Sequence, residues 1–466
     1  MLKSTNESNV NNAKAFDASE SAYSSVQPYI VVTYRPLIFL QYYSLNLNEG
    51  ESCSNLAITN PTTTVQWSSS DPSVATVSSS GVITGIRASA TPVTITATAL
   101  DPYCPASATC TVYVKIPDGT YFFKNKATGL YAEPTGYLEG NEVYQWALGG
   151  STAQRWTVEY LSNGVYRIKN QMSDLYLAVE SLNNTSAKAT QYSTASDLSR
   201  WYISRTSSGA FCLYAKGNLS SGYVIGSAFS GNTNGTSIKN MLYSSDTNYK
   251  DEWFFEVRLD TALEGQRWSK WCWVASARMF SNHYYDVTRS QNQAVQFVKG
   301  SVIDQGGWEN ESQSAIGYYI SNISEASLTL QNVISNGSSN CRRYPENVLR
   351  HFLDDGHAVF ITRSWYDGTT RTGGHSMLII GYVTKTVNNS IQYQYIIYDP
   401  WPESVPDPWN SPIATTGQSY LRSYQWICNG LNALPDDGGT DHGIWEGYVT
   451  VVTTYSNDSV LPIWNE

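Results

Sequence analysis

The sequence predicts a multidomain protein, β-rich through its first half and mixed α+β thereafter. Three observations carry this reading. Short alternating apolar strands, broken by turn residues, recur between residues 28 and 115. A β-rich unit then repeats three times up to residue 258, with Gly119, Gly164 and Gly209 spaced 45 residues apart. From residue 259 the pattern changes to helical faces followed by a run of strands. A length of 466 residues suits about three such domains. Residues 1–27 are polar, Ser/Asn-rich and aperiodic, and are expected to form a disordered leader.

Composition excludes some function classes. Lys and Arg number 29 against 39 Asp and Glu, a net charge of −10, so a basic face for nucleic acid is not expected. The best apolar run, Ile30 to Leu40, is short and contains Arg35 and Pro36, so no membrane-spanning helix is expected. Only 15% of residues are charged, and Tyr (34) and Trp (15) are abundant, as in β-rich extracellular proteins. No apolar export segment follows Lys3, which leaves a trimmed mature chain or another export route. Seven cysteines leave at least one thiol outside any internal disulfide. Cys104–Cys110 and Cys341–Cys428 are open as pairs, and context singles out Cys272 as a reactive thiol.

In the first segment, Val65 to Thr84 alternates in short runs interrupted at Asp71-Pro72 and Ser80-Gly81. Val93 to Ala97 is a further strand, and Thr111 to Val114 closes the set, which suits a small β-sandwich. The core WSSSDPSVATVSSSGVITG, within Ser44 to Lys115, resembles bacterial Ig-like domains of group 2. That resemblance implies a secreted or surface protein and a spacer role, and no chemistry.

In the second segment each unit ends near a tryptophan: Gln154-Arg155-Trp156, Ser199-Arg200-Trp201 and Asp251-Glu252-Trp253. One unit cannot bury its apolar face alone, whereas three closing on each other share a core. These tryptophans are expected in that core. The repeat and its Gln-x-Trp ending resemble the ricin-type β-trefoil. The resemblance implies glycan binding by an acidic residue and an aromatic ring in each competent lobe. In the first lobe Glu133, Gln145 and Trp146 fall near those positions. In the others Ala178 and Gly226 replace the acid, so the first lobe is the expected carbohydrate site.

In the third segment Val274, Ala277, Phe280 and Tyr284 share a helical face, which puts Cys272 at a helix N-terminus. A helix spans Pro345 to Gly356, and strands are expected at 358–362, 377–383, 391–398 and 447–454. A thiol acts as a nucleophile in its thiolate form, favoured by a helix N-terminus and a nearby imidazolium. His375, opening a strand after Gly373-Gly374, is positioned to supply the imidazole, and Asp399, ending the next strand, to orient it. Gln266 is a neutral amide able to donate to an oxyanion. The order Gln266, Cys272-Trp273, Gly374-His375 and Asp399-Pro400-Trp401 resembles papain-like cysteine peptidases, especially the compact bacterial type that includes bacteriocin-processing enzymes.

The fold class expected is therefore a β-sandwich (Ig-like, 28–115), a β-trefoil (116–258) and an α+β papain-like domain (259–466). The resemblance implies a secreted or surface thiol peptidase acting on protein or peptide, with Cys272, His375, Asp399 and Gln266 as catalytic residues and glycans as further partners. No cofactor or metal is expected, and the acidic run Asp436 to Asp441 reads as a solvated turn. Two alternatives stay open: a surface lectin or adhesin with an inactive papain-like domain, and an acyltransferase of the transglutaminase kind.

Overall fold

The structure is a computed structural model and describes residues 37–60, 63–100, 106–149, 151–243, 248–259, 261–321, 323, 330–333, 346–367, 370–387, 390–401, 417–429 and 444–451. The expected leader, Cys104, Cys341 and the run 436–441 lie outside these residues.

The first domain is a sandwich. Strands Ser44–Asn48, Ser107–Lys115, Val93–Ala99 and Val65–Ser69 form one sheet in that order, and Ser52–Ser54, Val82–Gly85 and Ala75–Val77 form the other. Alternation along Val93–Ala99 turns Val93, Ile95 and Ala97 inward, where they meet Ile83 and Val112. Burying each Val or Ile contributes about 1.5–3 kcal/mol. Gly81 makes the tight turn between two strands with φ +82°, and a Cβ there would stand 2.5 Å from the Asn55 carbonyl.

The second domain is a threefold array. Trp156, Trp201 and Trp253 are its buried anchors. Their indole N–H groups donate to equivalent main-chain carbonyls, those of Ala132 (3.0 Å), Leu177 (2.9 Å) and Ile225 (2.9 Å). A polar pair with a buried amide also recurs in every lobe: Thr128 with Gln145, Ser173 with Gln191, and Asn218 with Asn240. The first strand, Gly119–Asn125, pairs with the last, Trp253–Arg258, and closes the array.

The third domain packs helices against an antiparallel sheet. Helices α1 (Cys272–Tyr284), α2 (Gln291–Lys299) and α3 (Glu309–Ile320) come first, with α4 (Glu346–Asp354) and the short α5 (Tyr424–Asn429) among the strands. The strands run in the order Leu330–Val333, Ile444–Val451, Val359–Asp367, Thr370–Val387, Ser390–Asp399 and Gln418–Ser423. Helix α1 buries Trp273, Val274, Ala277 and Phe280 against α3 and the sheet. Helix α2, which the sequence reading did not assign, is held by a capping box between Ser290 and Gln293 and ends at Gly300, φ +78°.

The three domains are welded together. The last trefoil strand also pairs with Thr370–Val387, in the register Glu256↔Val383 and Arg258↔Gly381. A Cβ on Gly381 would lie 2.0 Å from the Val257 carbonyl oxygen, so glycine permits the approach. Arg205 of the trefoil forms a bidentate ion pair with Glu49 of the sandwich, both bonds 2.6 Å, with the side chains 1% and 5% exposed. The same guanidinium donates to the carbonyl and hydroxyl of Thr384 in the third domain.

Candidate active site

Cys272 is the first residue of α1, and the turn before it is clamped rather than capped by a side chain. The buried indoles of Trp271 and Trp273 donate to the carbonyls of Ile303 (2.8 Å) and Gln305 (3.1 Å). Between those anchors, Asp304 accepts from the Ser269 hydroxyl (2.5 Å) and the Lys270 N–H (2.8 Å). Gly307 lies flat on Trp273, where a Cβ would come within 2.3 Å of the ring. A flanking tryptophan pair thus holds the helix start in place, and the first-turn N–H groups, that of Cys272 among them, lack intrahelical partners.

His375 sits in strand Thr370–Val387, and the next residue is tied to α1: the Ser276 hydroxyl donates to the Ser376 carbonyl at 2.9 Å. Its Nε2 meets Asp399 Oδ1 at 2.6 Å. That leaves Nδ1 for the Cys272 thiol, to which the ring is hydrogen-bonded. Asp399 is buried at the end of strand Ser390–Asp399. Its Oδ1 also accepts from the Trp401 N–H (2.8 Å), and its Oδ2 accepts from the Tyr420 hydroxyl (2.7 Å). The Trp401 indole stands edge-on to the imidazole, 6.5 Å away.

The electrostatics form a relay. Burial pushes the Cys272 thiol up, but the hydrogen bond and charge of His375, with the Ser376 N–H, outweigh it and hold the thiol below its ordinary value. Burial pulls His375 down, yet the charge and hydrogen bond of Asp399, helped by Cys272, raise the imidazole well above its ordinary value. Burial pushes Asp399 up, and His375, Tyr420 and the Trp401 N–H together keep it below the usual carboxylate range. Each shift runs toward the charged form of its group: thiolate, imidazolium and carboxylate. Such an array can attack a carbonyl and deliver a proton.

Gln266 lies in this neighbourhood with a different immediate engagement from the one expected. It is fully buried, and its amide nitrogen commits both hydrogens, to the carbonyls of Trp268 (2.9 Å) and Ser269 (2.8 Å). Its Oε1 is buried without a hydrogen-bond partner among the described residues. Its main-chain N–H donates to the Pro400 carbonyl at 2.9 Å, tying the loop before Cys272 to the turn after Asp399. Tyr420, which the sequence reading missed, carries no motif signal, because only strand pairing brings it beside Asp399.

In the first trefoil lobe, Trp146 is 46% exposed on the strand beside Glu133. Glu133 is half-buried, and its carboxylate accepts from Gln154 Nε2 at 2.9 Å. Burial raises its pKa, offset in part by that bond. Gln145 is fully buried, accepting from Thr128 and donating to Ser227, both at 2.7 Å, so its amide is engaged inside the lobe rather than on the surface beside Trp146. Gln154, the glutamine of the Gln-x-Trp ending, is the amide that meets Glu133 instead. Among the described residues no group of three or more His, Cys, Asp or Glu converges as metal ligands, and no helix is long and apolar enough to cross a membrane.

Comparison with known families gives three matches in chain order. Residues 30–102 match the bacterial Ig-like domain (group 2). Residues 111–192 and 152–241 match the ricin-type β-trefoil lectin domain-like family. Residues 256–426 match the Peptidase_C39-like family. No curated protein matches the chain. Among solved structures, a designed threefold symmetric protein, ThreeFoil, is 25% identical and aligns over 29% of this chain and 96% of its own, with a TM-score of 0.26. The Rhizoctonia solani agglutinin is 21% identical over 30% of this chain and 96% of its own, TM-score 0.28. The Macrolepiota procera ricin B-like lectin is 16% identical over the same shares, TM-score 0.26. The chain is thus multidomain and mostly β, with an Ig-like domain, a ricin-type lectin-like trefoil and a mixed helix–strand domain similar to C39-like peptidases.

Proposed function

We propose that this chain is a secreted or cell-surface thiol peptidase that cleaves peptide bonds by acyl transfer through Cys272, His375 and Asp399. The observation that carries the reading is the unbroken relay from the thiol at the start of α1 through His375 to the buried Asp399 carboxylate. The similarity of residues 256–426 to C39-like peptidases supports it independently.

The steps follow from the geometry. The Cys272 thiolate attacks the substrate carbonyl carbon, and the negative charge moves to oxygen. The Cys272 main-chain N–H, at the positive end of α1, donates to that oxygen. Gln266 joins it by releasing the Trp268 or the Ser269 carbonyl. The imidazolium of His375 gives its proton to the leaving amine nitrogen as the C–N bond breaks, which leaves a thioester on Cys272. His375, now neutral, takes a proton from water, and the hydroxide adds to the thioester. Collapse releases a carboxylic acid and restores the thiolate–imidazolium pair. Asp399 keeps its charge throughout and fixes the ring's orientation.

The lectin-like trefoil, with Glu133 and Trp146 in its first lobe, is proposed to hold glycan-bearing material, and the Ig-like domain to act as a spacer. Test: label the intact protein with a thiol-directed epoxide inhibitor of papain-like peptidases and map the adduct. One adduct per chain on Cys272, absent in His375→Ala, is expected. A folded protein that takes no label under reducing conditions refutes the peptidase reading and leaves the lectin or adhesin alternative.

A further inference from the structure

The three lobes of the trefoil meet in a ring of six side chains. Three residues before each recurring buried amide (Gln145, Gln191, Asn240) stand Glu142, Lys188 and Ser237; one residue before stand Tyr144, Thr190 and Lys239. Between them Val143, Ala189 and Ile238 point into the core, so the flanking residues turn the other way. Each lobe pairs with the next at an offset of two: Glu142↔Thr190, Lys188↔Lys239 and Tyr144↔Ser237. The backbone ring is threefold, but its chemistry is not. It brings two lysines together across one bridge, with a single carboxylate.

The partners in this ring are incomplete. One oxygen of Glu142 pairs with the Lys188 ammonium. Among the described residues the other, Oε2, is buried without a hydrogen-bond partner, as are the hydroxyls of Thr190 and Ser237. Buried polar atoms are rarely left so, and each asks for water or a ligand. Lys239 has no acidic partner among the described residues. A cavity of about 460 Å³ opens on the ring between Glu142, Lys188, Ser237 and Lys239, with Phe229 at its rim, 68% exposed. Its volume suits a small ligand.

From these features the geometry points to a second, charge-selective site on the trefoil axis, for a single sugar ring bearing a carboxylate. Lys239 meets the carboxylate. The Glu142 carboxylate and the Ser237 hydroxyl, whose residues line the cavity, meet ring hydroxyls, and the Phe229 ring covers an apolar C–H face. A bare anion would face the Glu142 charge with nothing to offer it. A neutral sugar would leave Lys239 unmatched. The site takes Glu142 and Tyr144 from the first lobe but uses neither Glu133 nor Trp146, so it stands whether or not that pair binds sugar.

The test is titration of the intact protein with glucuronate and with glucose, read by calorimetry and by the shift in melting temperature. Glucuronate is expected to bind at least about tenfold tighter than glucose, a difference of about 1.4 kcal/mol. Lys239→Met should bring the two to parity, Ser237→Val should weaken both, and Trp146→Ala should leave the glucuronate preference intact. Equal affinities in the native protein would overturn the proposal, as would a preference that survives Lys239→Met. Loss of the preference in Trp146→Ala would assign it to the first lobe. No binding of either sugar would mean that the ring oxygens hold water alone. If Lys239→Met misfolds, the melting shift of the native protein still decides between glucuronate and glucose.

Discussion

Replacing Tyr420 by Phe removes one hydroxyl and leaves a ring of nearly the same shape. That hydroxyl donates to Asp399 Oδ2 at 2.7 Å, while Oδ1 serves His375 and the Trp401 N–H. A hydrogen bond to a charged group contributes about 1.5–3 kcal/mol. Its loss is shared between Asp399 and the groups coupled to it. The direction is set by the relay. Tyr420 helps hold Asp399 below its ordinary value, so Asp399 rises. A weaker carboxylate lets His375 fall from its raised position, and the Cys272 thiol, kept low by His375, rises in turn. The thiolate–imidazolium pair exists between those two titrations, so its window narrows from both sides. The assay is the rate of Cys272 alkylation across pH, alongside kcat/KM on a peptide substrate. The alkaline limb should retreat toward neutral pH, the acidic limb should move up, and kcat/KM should fall about tenfold, or about 1.4 kcal/mol. Unmoved limbs, with or without a fall in rate, would refute the claim that Tyr420 acts through the charge on Asp399.

Three further outcomes are expected. A Cβ on Gly417 would lie 2.3 Å from the Asp399 carbonyl oxygen and 3.0 Å from both the Glu264 carbonyl oxygen and Pro400 Cα, so Gly417→Ala must shift the turn carrying Asp399. A displacement of that kind reduces kcat/KM on the order of 100-fold, and wild-type turnover in a folded variant would contradict it. Arg205→Ala leaves Glu49 buried and unpaired, which costs about 3–5 kcal/mol; an unchanged melting temperature would show that the ion pair does not hold the domains together. Glu133→Gln and Trp146→Ala should each abolish or sharply weaken neutral-glycan binding on an array while leaving Cys272 labelling untouched, and retained binding in both variants would remove the first lobe from consideration.

Much of this molecule could be read from its sequence because its signals are local. The 45-residue glycine spacing and the terminal tryptophans report a shared core, and those tryptophans occupy it, each donating to the same carbonyl position. The face Val274, Ala277, Phe280 and Tyr284 placed Cys272 at a helix start, where α1 begins. What could not be read depends on long-range pairing. Tyr420 reaches Asp399 only because strand Gln418–Ser423 pairs beside Ser390–Asp399, a relation no spacing encodes. Gln145 and Gln154 lie nine positions apart in one lobe and are chemically identical. Burial alone decides that the first bonds to Thr128 and Ser227 while the second meets Glu133. Helix α2 escaped because its first turn is Gln-Asn-Gln and its apolar face is short, so the capping box at Ser290 marks it better than periodicity does.

The domain junctions bear on how a lectin-like module serves a peptidase. A flexible linker would raise only the local concentration of substrate, with any orientation allowed. Here the trefoil runs into the third domain without such a linker. Its closing strand is also an edge partner of the strand that carries His375, and the Leu259 N–H continues the contact by donating to the Ile380 carbonyl at 2.7 Å. Gly381 lets the two backbones approach closely, and Arg205 fixes the sandwich and Thr384 to the same point. Separating the domains would break sheet hydrogen bonds and expose a buried ion pair together, so hinge motion at this junction is energetically disfavoured. Under the proposed function, a glycan held by the trefoil would be presented in a fixed relation to Cys272, and the distance between sugar and scissile bond would become part of substrate selection. That constraint arises from backbone pairing, so changing the binding lobes would alter which glycan is held without altering where it is held relative to the nucleophile.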